Sequence, residues 1–468
     1  MLTERAVVRL SVIGGHFSSA LTSSEVGFAR SNCSSMAFEI NNHGSNNADN
    51  STRDPNTANS QGKRRKVGPS ITLPAPVYLV GAARTPHGAF QGKLSHLTAV
   101  ELGSFAITAA LEMAGVEKNM VNEVFMGNVC SANLGQAPAR QASLIAGLPK
   151  GVDATTINKV CSSGLKAIVL GAQSVALGEN DVVIGGGMES MSNVPHYIPT
   201  SRRGNRLGNT TLVDGLLRDG LMDATYGIHM GECAELCAEK HSISREEQDI
   251  HAIESAEKAK KSIVDGTAAW EIVPVPKSEG FGYINDDEPL EKMNPEKLRR
   301  LKPYFTASDS GTVTAGNASP ISDGAAAVVL ASEGAVKTLN LRPLACILSY
   351  ADAALDPKEF PEAPALAALK ALERANLSPS DVDCWEINEA FSVVDLANRK
   401  LLNLDPAKLN VLGGAVAIGH PIGASGARLV VTLLNALRVK GGSIGVAAIC
   451  NGGGGSSAIV IKRIHEAP

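Results

Sequence analysis

The chain of 468 residues carries a formal net charge of -4, with 44% hydrophobic and 19% charged residues. These values are typical of a globular protein with two or three domains, and they argue against a nucleic-acid-binding surface. No run of about 18 uncharged apolar residues occurs, so we expect neither a membrane span nor a membrane partner.

Residues 1–74 differ in composition from the rest and are predicted to be a disordered extension. Asparagines mixed with Ser, Asp and Thr crowd its middle without any apolar period, so the segment cannot bury enough surface to offset its ordering entropy. The stretch 1–30 is rich in Arg and Ser, as mitochondrial presequences are, but it contains Glu4 and Glu25, which such presequences avoid. We therefore expect a cytoplasmic protein, with the mitochondrion as the alternative and Met36 as a second candidate start.

The folded part is predicted to begin with an α/β domain over residues 75–335, because strand-like and helix-like segments alternate there. The predicted strands are 77–80, 121–129, 155–160 and 181–184, and the predicted helices are 98–113, 137–146 and the stretch after Cys161. The turn 81–86 and the glycines Gly185–Gly187 are expected to follow the ends of strands.

Residues 196–304 interrupt this alternation and are predicted to form an inserted loop domain. Arginines crowd its first part, a helical run spans Glu232–Asp265, and prolines and glycines break the chain after that run. We expect this segment to cover the first domain, so that a long substrate can lie beneath it.

Residues 340–465 repeat the first domain in outline. The predicted strands are 345–350, 382–387 and a final strand at 443–449, and the predicted helices are 365–375 and 425–437. In each half a reactive-looking residue, Cys161 or His420, precedes a helix, and a buried strand then runs into a glycine cluster. This parallel indicates an internal duplication.

Cys161 lies where an apolar strand-like run meets a helix-like one. The apolar residues after it recur with the spacing of one helix face, at Leu165, Ile168, Val169 and Ala172. The open N–H groups of a first helical turn and the helix dipole would bring the pKa of this thiol, ordinarily about 8.5, toward neutrality. The alternative is a buried, inert cysteine, since free cysteines are among the most buried residue types.

His420 stands between a glycine and a proline before a second helix-like stretch, a setting similar to that of Cys161. A cysteine–histidine nucleophile pair is one interpretation, and a structural histidine is the other. Cys450 is the third candidate, because it ends an apolar strand and meets Gly452–Gly455, which permit close approach of a ligand. A flexible turn or a phosphate cradle would also suit these glycines, but the Lys-Ser/Thr pair of a nucleotide-binding loop is missing.

The eight cysteines predict free thiols rather than disulfides or a zinc site. They are widely spread and contain no CxxC pair. Cys233 and Cys237 have helical spacing but lack a second pair of ligands, so we expect them to face the core.

Five stretches carry a more specific signal: Asn158–Ala167, His229–Gly231, Gly311–Asp323, Asn388–Phe391, and Gly413–Arg428 with Cys450–Gly455. In order and composition they resemble the thiolase family, most closely its acetyl-CoA C-acetyltransferases. The resemblance implies a five-layer αβαβα fold of two duplicated halves, each with a mixed five-stranded sheet, and an inserted loop domain. It also implies a homodimer or homotetramer.

The resemblance implies a reversible condensation of two acetyl-CoA molecules to acetoacetyl-CoA and CoA through an acyl-cysteine. Cys161 would attack the first thioester with His420 as its base, and Cys450 would remove a proton from the second acetyl-CoA. One oxyanion hole would use His420 and a water held by Asn388. The other would use the backbone N–H groups of Cys161 and Gly452.

Further residues are implied to hold the coenzyme A substrates, and no cofactor is required. Ser319 matches a serine near the pantetheine, and Lys297 a lysine near the nucleotide. His229 and Met230 match the segment beside the acyl group.

Some family members bind potassium through backbone carbonyls, which here would be those of Ala315, Gly316, Ala318 and Val416. The tyrosine ligand of those relatives falls at Thr225, with Tyr226 one place along. The resemblance therefore carries over only part of a potassium site.

Two other functions remain open at this point: a 3-ketoacyl-CoA thiolase of broader chain length, and a non-catalytic thiolase-like protein that binds acyl-CoA or lipid. His229–Gly231 and Ser392 favour the short-chain activity. The presence of Cys161, His420 and Cys450 disfavours a protein without catalysis, and a cysteine hydrolase would leave Cys450 without a role.

Overall fold

A computed structural model describes residues 73–306 and 310–465. The predicted disorder of residues 1–74 falls almost entirely outside these residues and stays a prediction. The strands are β1 (Val77–Arg84), β2 (Gly88–Ala89), β3 (Glu123–Gly127), β4 (Asp153–Ile157), β5 (Val182–Ser190), β6 (His196–Tyr197), β7 (Val213–Asp214), β8 (Val275–Pro276), β9 (Tyr283–Ile284), β10 (Ser322–Ser332), β11 (Ala345–Ala354), β12 (Cys384–Ile387), β13 (Ile444–Asn451) and β14 (Gly455–Arg463). The α-helices are α1 (Ala99–Ala114), α2 (Pro138–Ile145), α3 (Ser163–Ala176), α4 (Met230–His241), α5 (Arg245–Val264), α6 (Pro295–Arg299), α7 (Glu333–Thr338), α8 (Ala363–Arg374), α9 (Ser392–Leu402), α10 (Ala415–Ile418) and α11 (Ile422–Lys440).

The principal strands form one mixed sheet in the order β12-β13-β14-β11-β1-β10-β5-β3-β4, with β2 beside β10. The halves join where β1 meets β11 through two residue pairs, Tyr78 with Cys346 and Leu79 with Ala345. The N-terminal half contributes five strands to this order and the C-terminal half four. A single bridge from Trp385 continues the sheet beyond β12, so the fifth C-terminal strand implied by the resemblance is reduced to that bridge.

Helices and sheet halves stack in the expected αβαβα order. Helices α1 and α2 pack on the outer face of the N-terminal half, and α8 covers the outer face of the C-terminal half. Helices α3 and α11 lie between the halves and contact strands of both. The large central core therefore consists of apolar residues from these two helices and the strands on either side of them.

The two central helices cross in close contact because small residues meet at the crossing. A Cβ atom on Gly164 of α3 would lie 2.8 Å from the backbone nitrogen of Ala427, and one on Gly426 of α11 would lie 2.5 Å from that of Leu165. Such distances leave no room for a side chain. Since both helices begin just after a candidate reactive residue, their crossing brings those residues into one region.

The glycines of the first half lie elsewhere than predicted. Gly185–Gly187 lie inside β5 and do not follow its end. A Cβ atom on Gly185 would lie 2.7 Å from the Cα of Ile168, and one on Gly187 would lie 2.1 Å from the carbonyl oxygen of Gly423. The strand is glycine-rich because the central helices press directly on its backbone. The predicted turn 81–86 also starts too early, since β1 continues to Arg84.

The predicted final strand is not the last one. Gly453 and Gly454 have φ angles of 82° and 84°, and they turn the chain back into β14, which pairs with both β13 and β11. The left-handed region is open to glycine and favours tight hairpins, so this cluster forms a turn and not the end of the sheet. Helix α9, directly after Asn388–Phe391, was also absent from the predicted elements.

The inserted segment 196–304 contains α4 to α6 and two short two-stranded sheets. The predicted helical run Glu232–Asp265 is two helices, because Ser242 adopts a φ of 50° and Ser244 caps α5. Helix α4 packs on α9, and α5 packs on α9 and α10. The segment was expected over the first domain, but its main helices lie against the C-terminal half.

Helix α11 is long and apolar enough to cross a membrane. However, 89% of that stretch is buried inside the protein, which is typical of a core helix.

Candidate active site

Cys161 lies on a tight turn between β4 and α3, directly before the first residues of the helix. The preceding residue, Val160, has a φ of 48°, a left-handed conformation that is strained for a β-branched side chain. Two polar side chains hold this turn: Ser163 Oγ accepts a hydrogen bond from the Lys159 N–H at 2.8 Å, and Asn158 Oδ1 accepts one from the Val160 N–H at 2.9 Å. The backbone conformation of the turn, held by these two side chains, therefore fixes the position of the thiol.

Side chains of the same turn bind the C-terminal half. Lys159 Nζ donates to Asp352 at 2.6 Å and to Ser457 Oγ at 2.8 Å, and Lys166 Nζ donates to Asp352 at 2.8 Å. Ser162 Oγ donates to Asn451 Oδ1 at 2.9 Å. The turn that carries Cys161 is thus attached to β11, β13 and β14, and β13 carries Cys450.

The predicted thiolate character of Cys161 is wrong for the free protein. Burial raises the pKa of this thiol to about 12, although the backbone N–H groups of Gly452 and of Cys161 itself lie against the sulfur and lower it. The loss of solvation on burial therefore destabilises the thiolate more than the N–H groups at the helix start stabilise it. The thiol therefore needs a base.

His420 supplies a ring nitrogen suited to that role. Its Nδ1 lies 2.6 Å from Ser425 Oγ, and the Ser425 hydroxyl donates its proton to the Pro421 carbonyl at 2.9 Å. Because that hydroxyl has no second proton to give, Nδ1 must carry the ring proton, and Nε2 is left with a free lone pair. Burial and the positive charge of Arg428 lower the pKa of His420 to about 3, which keeps the ring neutral.

Asn388 faces the free nitrogen of His420. Its Nδ2 lies 3.5 Å from Nε2, and its Oδ1 accepts a hydrogen bond from Arg428 at 3.1 Å. Arg428 is fully buried and also pairs with Glu386 at 3.3 Å. A buried chain of polar groups thus fixes which way the amide of Asn388 points.

Cys450 is fully buried near the end of β13. Burial raises the pKa of its thiol well above the ordinary value, and the neighbouring Cys161 adds to this effect. The two sulfurs therefore share one apolar environment, in which both rest as thiols.

A cavity of about 570 Å³ lies at Cys161 and His420, and neither Asn388 nor Cys450 is among its lining residues. Its lining includes the predicted site residues Cys161, Ser319, His229, Met230, His420 and Gly452. The ring of His229 stacks on Phe305 with centroids 4.7 Å apart, and Phe391 meets Phe305 edge-on. The hydroxyl of Ser319 donates to the Ala390 carbonyl at 2.8 Å. The cavity wall therefore contains a packed aromatic cluster.

Lys297 does not line that cavity. It borders an adjoining cavity of about 270 Å³, whose lining also contains the four residues named for potassium: Ala315, Gly316, Ala318 and Val416. The side chain of Tyr226 does not join them, because its hydroxyl donates to Asp356 at 2.8 Å. The structure thus groups the four carbonyl-bearing residues, and the tyrosine ligand remains missing.

Ser425 and Arg428 are the site residues to which sequence reasoning assigned no role. They lie three residues apart on α11, the helix that begins just after His420. The available signal was an arginine and a serine in the first turns of an otherwise apolar helix-like stretch that directly follows His420. Glu386 gave none, because it lies inside an apolar strand.

Family models match both halves of the chain. "Thiolase, N-terminal domain" matches residues 77–334, and "Thiolase, C-terminal domain" matches residues 341–463. Acetyl-CoA acetyltransferase 1 of Arabidopsis thaliana is 56% identical over 397 residues, which cover 84% of this chain and 95% of the relative. Acetyl-CoA acetyltransferase of Saccharomyces cerevisiae is 54% identical, covering 83% of this chain and 99% of the relative.

A solved structure is similar as well. The crystal structure of the Acat5 thiolase from Ascaris suum in complex with coenzyme A superposes with a TM-score of 0.79 at 47% identity. The match covers 83% of this chain and 100% of that one. Both family models and these relatives show that the chain belongs to the thiolase family.

Proposed function

We propose that this protein is an acetyl-CoA C-acetyltransferase, which condenses two acetyl-CoA molecules to acetoacetyl-CoA and CoA and also catalyses the reverse thiolysis. The observation that carries the proposal is one cavity bordered by the Cys161 thiol and a neutral His420, with the buried Cys450 thiol beside it. The acetyl-CoA acetyltransferases to which the chain is more than 50% identical support the same activity.

Thiolysis can start from the resting protonation states. The Cys161 proton passes to Nε2 of His420 while the sulfur attacks the 3-keto carbon of acetoacetyl-CoA. The bond between C2 and C3 then breaks, and the carbanion of acetyl-CoA takes the proton of Cys450. Acetyl-CoA leaves, and an acetyl group stays on Cys161.

The second half restores both thiols. A CoA thiol gives its proton to the Cys450 thiolate and attacks the acetyl group, which forms a second acetyl-CoA. The Cys161 sulfur leaves and recovers its proton from His420. Condensation is the same sequence in reverse, where a buried Cys450 thiolate is a strong base for a weak carbon acid.

Negative charge develops on the thioester oxygens in both halves. The N–H groups of Cys161 and Gly452 lie against the Cys161 sulfur, which supports a role for them as donors to one of these oxygens. His420 with a water on Asn388 would serve the other. We assign these roles as part of the proposal, because the resemblance implies them and the contacts suit them.

A short acyl group fits the apolar walls formed by His229, Phe305 and Phe391. Rates of thiolysis on acetoacetyl-CoA and on a long-chain 3-ketoacyl-CoA test this assignment. We expect a preference for acetoacetyl-CoA of about 100-fold or more in kcat/KM, because even one misfitted methylene in an apolar pocket costs about 10-fold to 200-fold. Comparable values for the two substrates would reject the short-chain assignment.

Potassium binding beside the coenzyme A site is a separate proposal. The support is that Ala315, Gly316, Ala318 and Val416 border one small cavity. Titration of KCl against NaCl in the thiolysis assay tests it. A rate or KM for CoA that does not respond to KCl would contradict the proposal.

We also propose a homo-oligomer, a dimer or tetramer. The support is that β4 ends the sheet and leaves one strand edge unpaired within the described residues. Light scattering on the full chain measures the mass. A monomer at micromolar concentration would contradict the proposal.

Cytoplasmic location rests on the sequence alone and remains a proposal. Imaging the full chain beside a chain started at Met36 tests it. Mitochondrial signal from the full chain, lost in the shorter one, would overturn it.

A further inference from the structure

A buried cluster of charged side chains lies behind the candidate active site and takes no part in the chemistry proposed above. It consists of His251 on α5, Glu389 directly after Asn388, and Asp395 on α9. His251 Nε2 lies 3.3 Å from Glu389 Oε1, and His251 Nδ1 lies 3.6 Å from Asp395 Oδ2. All three side chains are buried.

These ion-pair distances fit an imidazolium that lies between two carboxylates. The two ring nitrogens of His251 face two different carboxylates, and only the protonated ring has two N–H donors. Asn410 Nδ2 supports the same arrangement, since it lies 3.0 Å from both Glu389 Oε1 and Asp395 Oδ1.

Glu389 connects the covering helix to both catalytic segments. Its Oε2 accepts hydrogen bonds from Ser255 Oγ of α5 at 2.8 Å and from the Val416 N–H of α10 at 3.2 Å. Ser255 Oγ in turn accepts the Gly414 N–H at 2.9 Å. Glu389 adjoins Asn388 in the chain, and α10 leads directly to His420.

The packing around Glu389 leaves little freedom. A Cβ atom on Gly414 would lie 2.3 Å from the carboxyl carbon of Glu389. A displacement of this carboxylate should therefore be transmitted to its neighbours, because close-packed protein interiors transmit strain and respond to volume changes as small as one methylene group. The position of Asn388 against His420 thus depends on what holds Glu389.

We propose that His251 is a positioning residue of the proposed acetyltransferase: through Glu389 it holds the Asn388 loop and the segment before His420 in register with helix α5. The inference rests on the proposed function. His251 touches neither substrate nor sulfur, so its removal must act on turnover through Asn388 and His420. Substrate binding in the cavity should be spared.

The test compares His251→Leu, which removes both donors, with His251→Gln, which keeps one donor for Glu389. His241→Gln is the matched control. His241 is the last residue of α4, its ring lies 3.3 Å from the carboxylate of Glu362, and neither residue lines the cavity. We expect His251→Leu to lower kcat for acetoacetyl-CoA thiolysis by about tenfold to 100-fold, the cost of a small misplacement of catalytic groups, with KM within about twofold. His251→Gln should recover at least half of the lost activity on a logarithmic scale, and the control should match the unchanged protein.

The outcomes separate this inference from the function on which it rests. An unchanged protein without thiolysis activity rejects the proposed function. If the unchanged protein is active, three results overturn the role of His251. These are a full kcat in His251→Leu, a raised KM with unchanged kcat in that variant, and equal losses of kcat in the Leu and Gln variants. If His251→Leu does not fold, the isosteric Asp395→Asn must lower kcat by about threefold or more at constant KM, and an unchanged kcat there overturns the proposal.

Discussion

The turns before α3 and α11 each fix the position of a candidate reactive residue, Cys161 and His420, but the contacts that do so differ. At the Cys161 turn the contacts hold the main chain: Val160 adopts a strained left-handed φ of 48°, and the side chains of Ser163 and Asn158 accept hydrogen bonds from main-chain N–H groups. At the His420 turn the contacts hold the reactive side chain itself, since Ser425 fixes one ring nitrogen and Asn388 faces the other.

The difference follows from what each residue does in the proposed mechanism. A sulfur nucleophile needs only a position, and a backbone turn supplies one. A base needs the correct tautomer as well, which requires a partner with a defined donor or acceptor. The C-terminal half therefore carries the buried polar network of Asn388, Arg428 and Glu386, and side-chain substitutions there should affect catalysis over a wider region.

Loss of the nucleophile should give the largest effect. Cys161→Ala is expected to lower thiolysis by about 10⁴-fold or more, because no other group can carry the acyl intermediate. Cys130→Ala is the matched control, since this buried thiol packs in the same apolar cluster as Cys161. Steady-state kinetics decide the matter, and a Cys161→Ala protein with full activity would contradict a covalent mechanism.

The polar network should be next in sensitivity. Asn388→Ala is expected to lower kcat by about 10²–10³-fold, the usual cost of one lost oxyanion donor. Asn398→Ala provides the control: Asn398 is another buried asparagine, but it bonds Ala365 and Pro361, which do not line the cavity, whereas Asn388 contacts His420, which does. Activity per folded molecule should be normal in the control. Equal losses in both variants would show that packing and not positioning is at work.

The pH dependence of alkylation separates a thiol from a thiolate. Because burial raises the pKa of Cys161 to about 12, its thiolate fraction should rise with pH throughout the range below that value. Iodoacetamide labelling of Cys161 is therefore expected to accelerate about tenfold per pH unit from 7 to 10. A rate that levels off near pH 7 would restore the thiolate that the helix start predicts. Peptide mass spectrometry assigns the label.

The helix crossing beneath both turns should respond in stability. Gly164→Ala places a Cβ atom 2.8 Å from the backbone nitrogen of Ala427, so we expect the free energy of unfolding to fall by about 1–3 kcal/mol. Gly151→Ala is the control, because nothing lies within 4 Å of its added Cβ. Denaturant unfolding measures both, and equal stabilities would show that the helices can move apart.

The sequence predicts the alternating halves, because the periodicity of apolar residues and the strand–turn–helix setting of Cys161 and His420 are local signals. It does not predict the interior glycines of β5, which are required by helices from two distant segments. The prediction of a lowered pKa for Cys161 is wrong for the same reason. The helix start is visible in the sequence, whereas the burial of the sulfur depends on the assembled fold. His251 and Glu386 gave no signal, since their partners are distant in sequence.

The central claim is that Cys161 carries the acyl group while Cys450 moves protons. Mass spectrometry of peptides from protein incubated with acetyl-CoA and quenched in acid tests it directly. We expect one acetyl group on the Cys161 peptide, both in the unchanged protein and in Cys450→Ala, and none in Cys161→Ala. An acetyl group on Cys450, or turnover without any acetylated Cys161, would contradict the account.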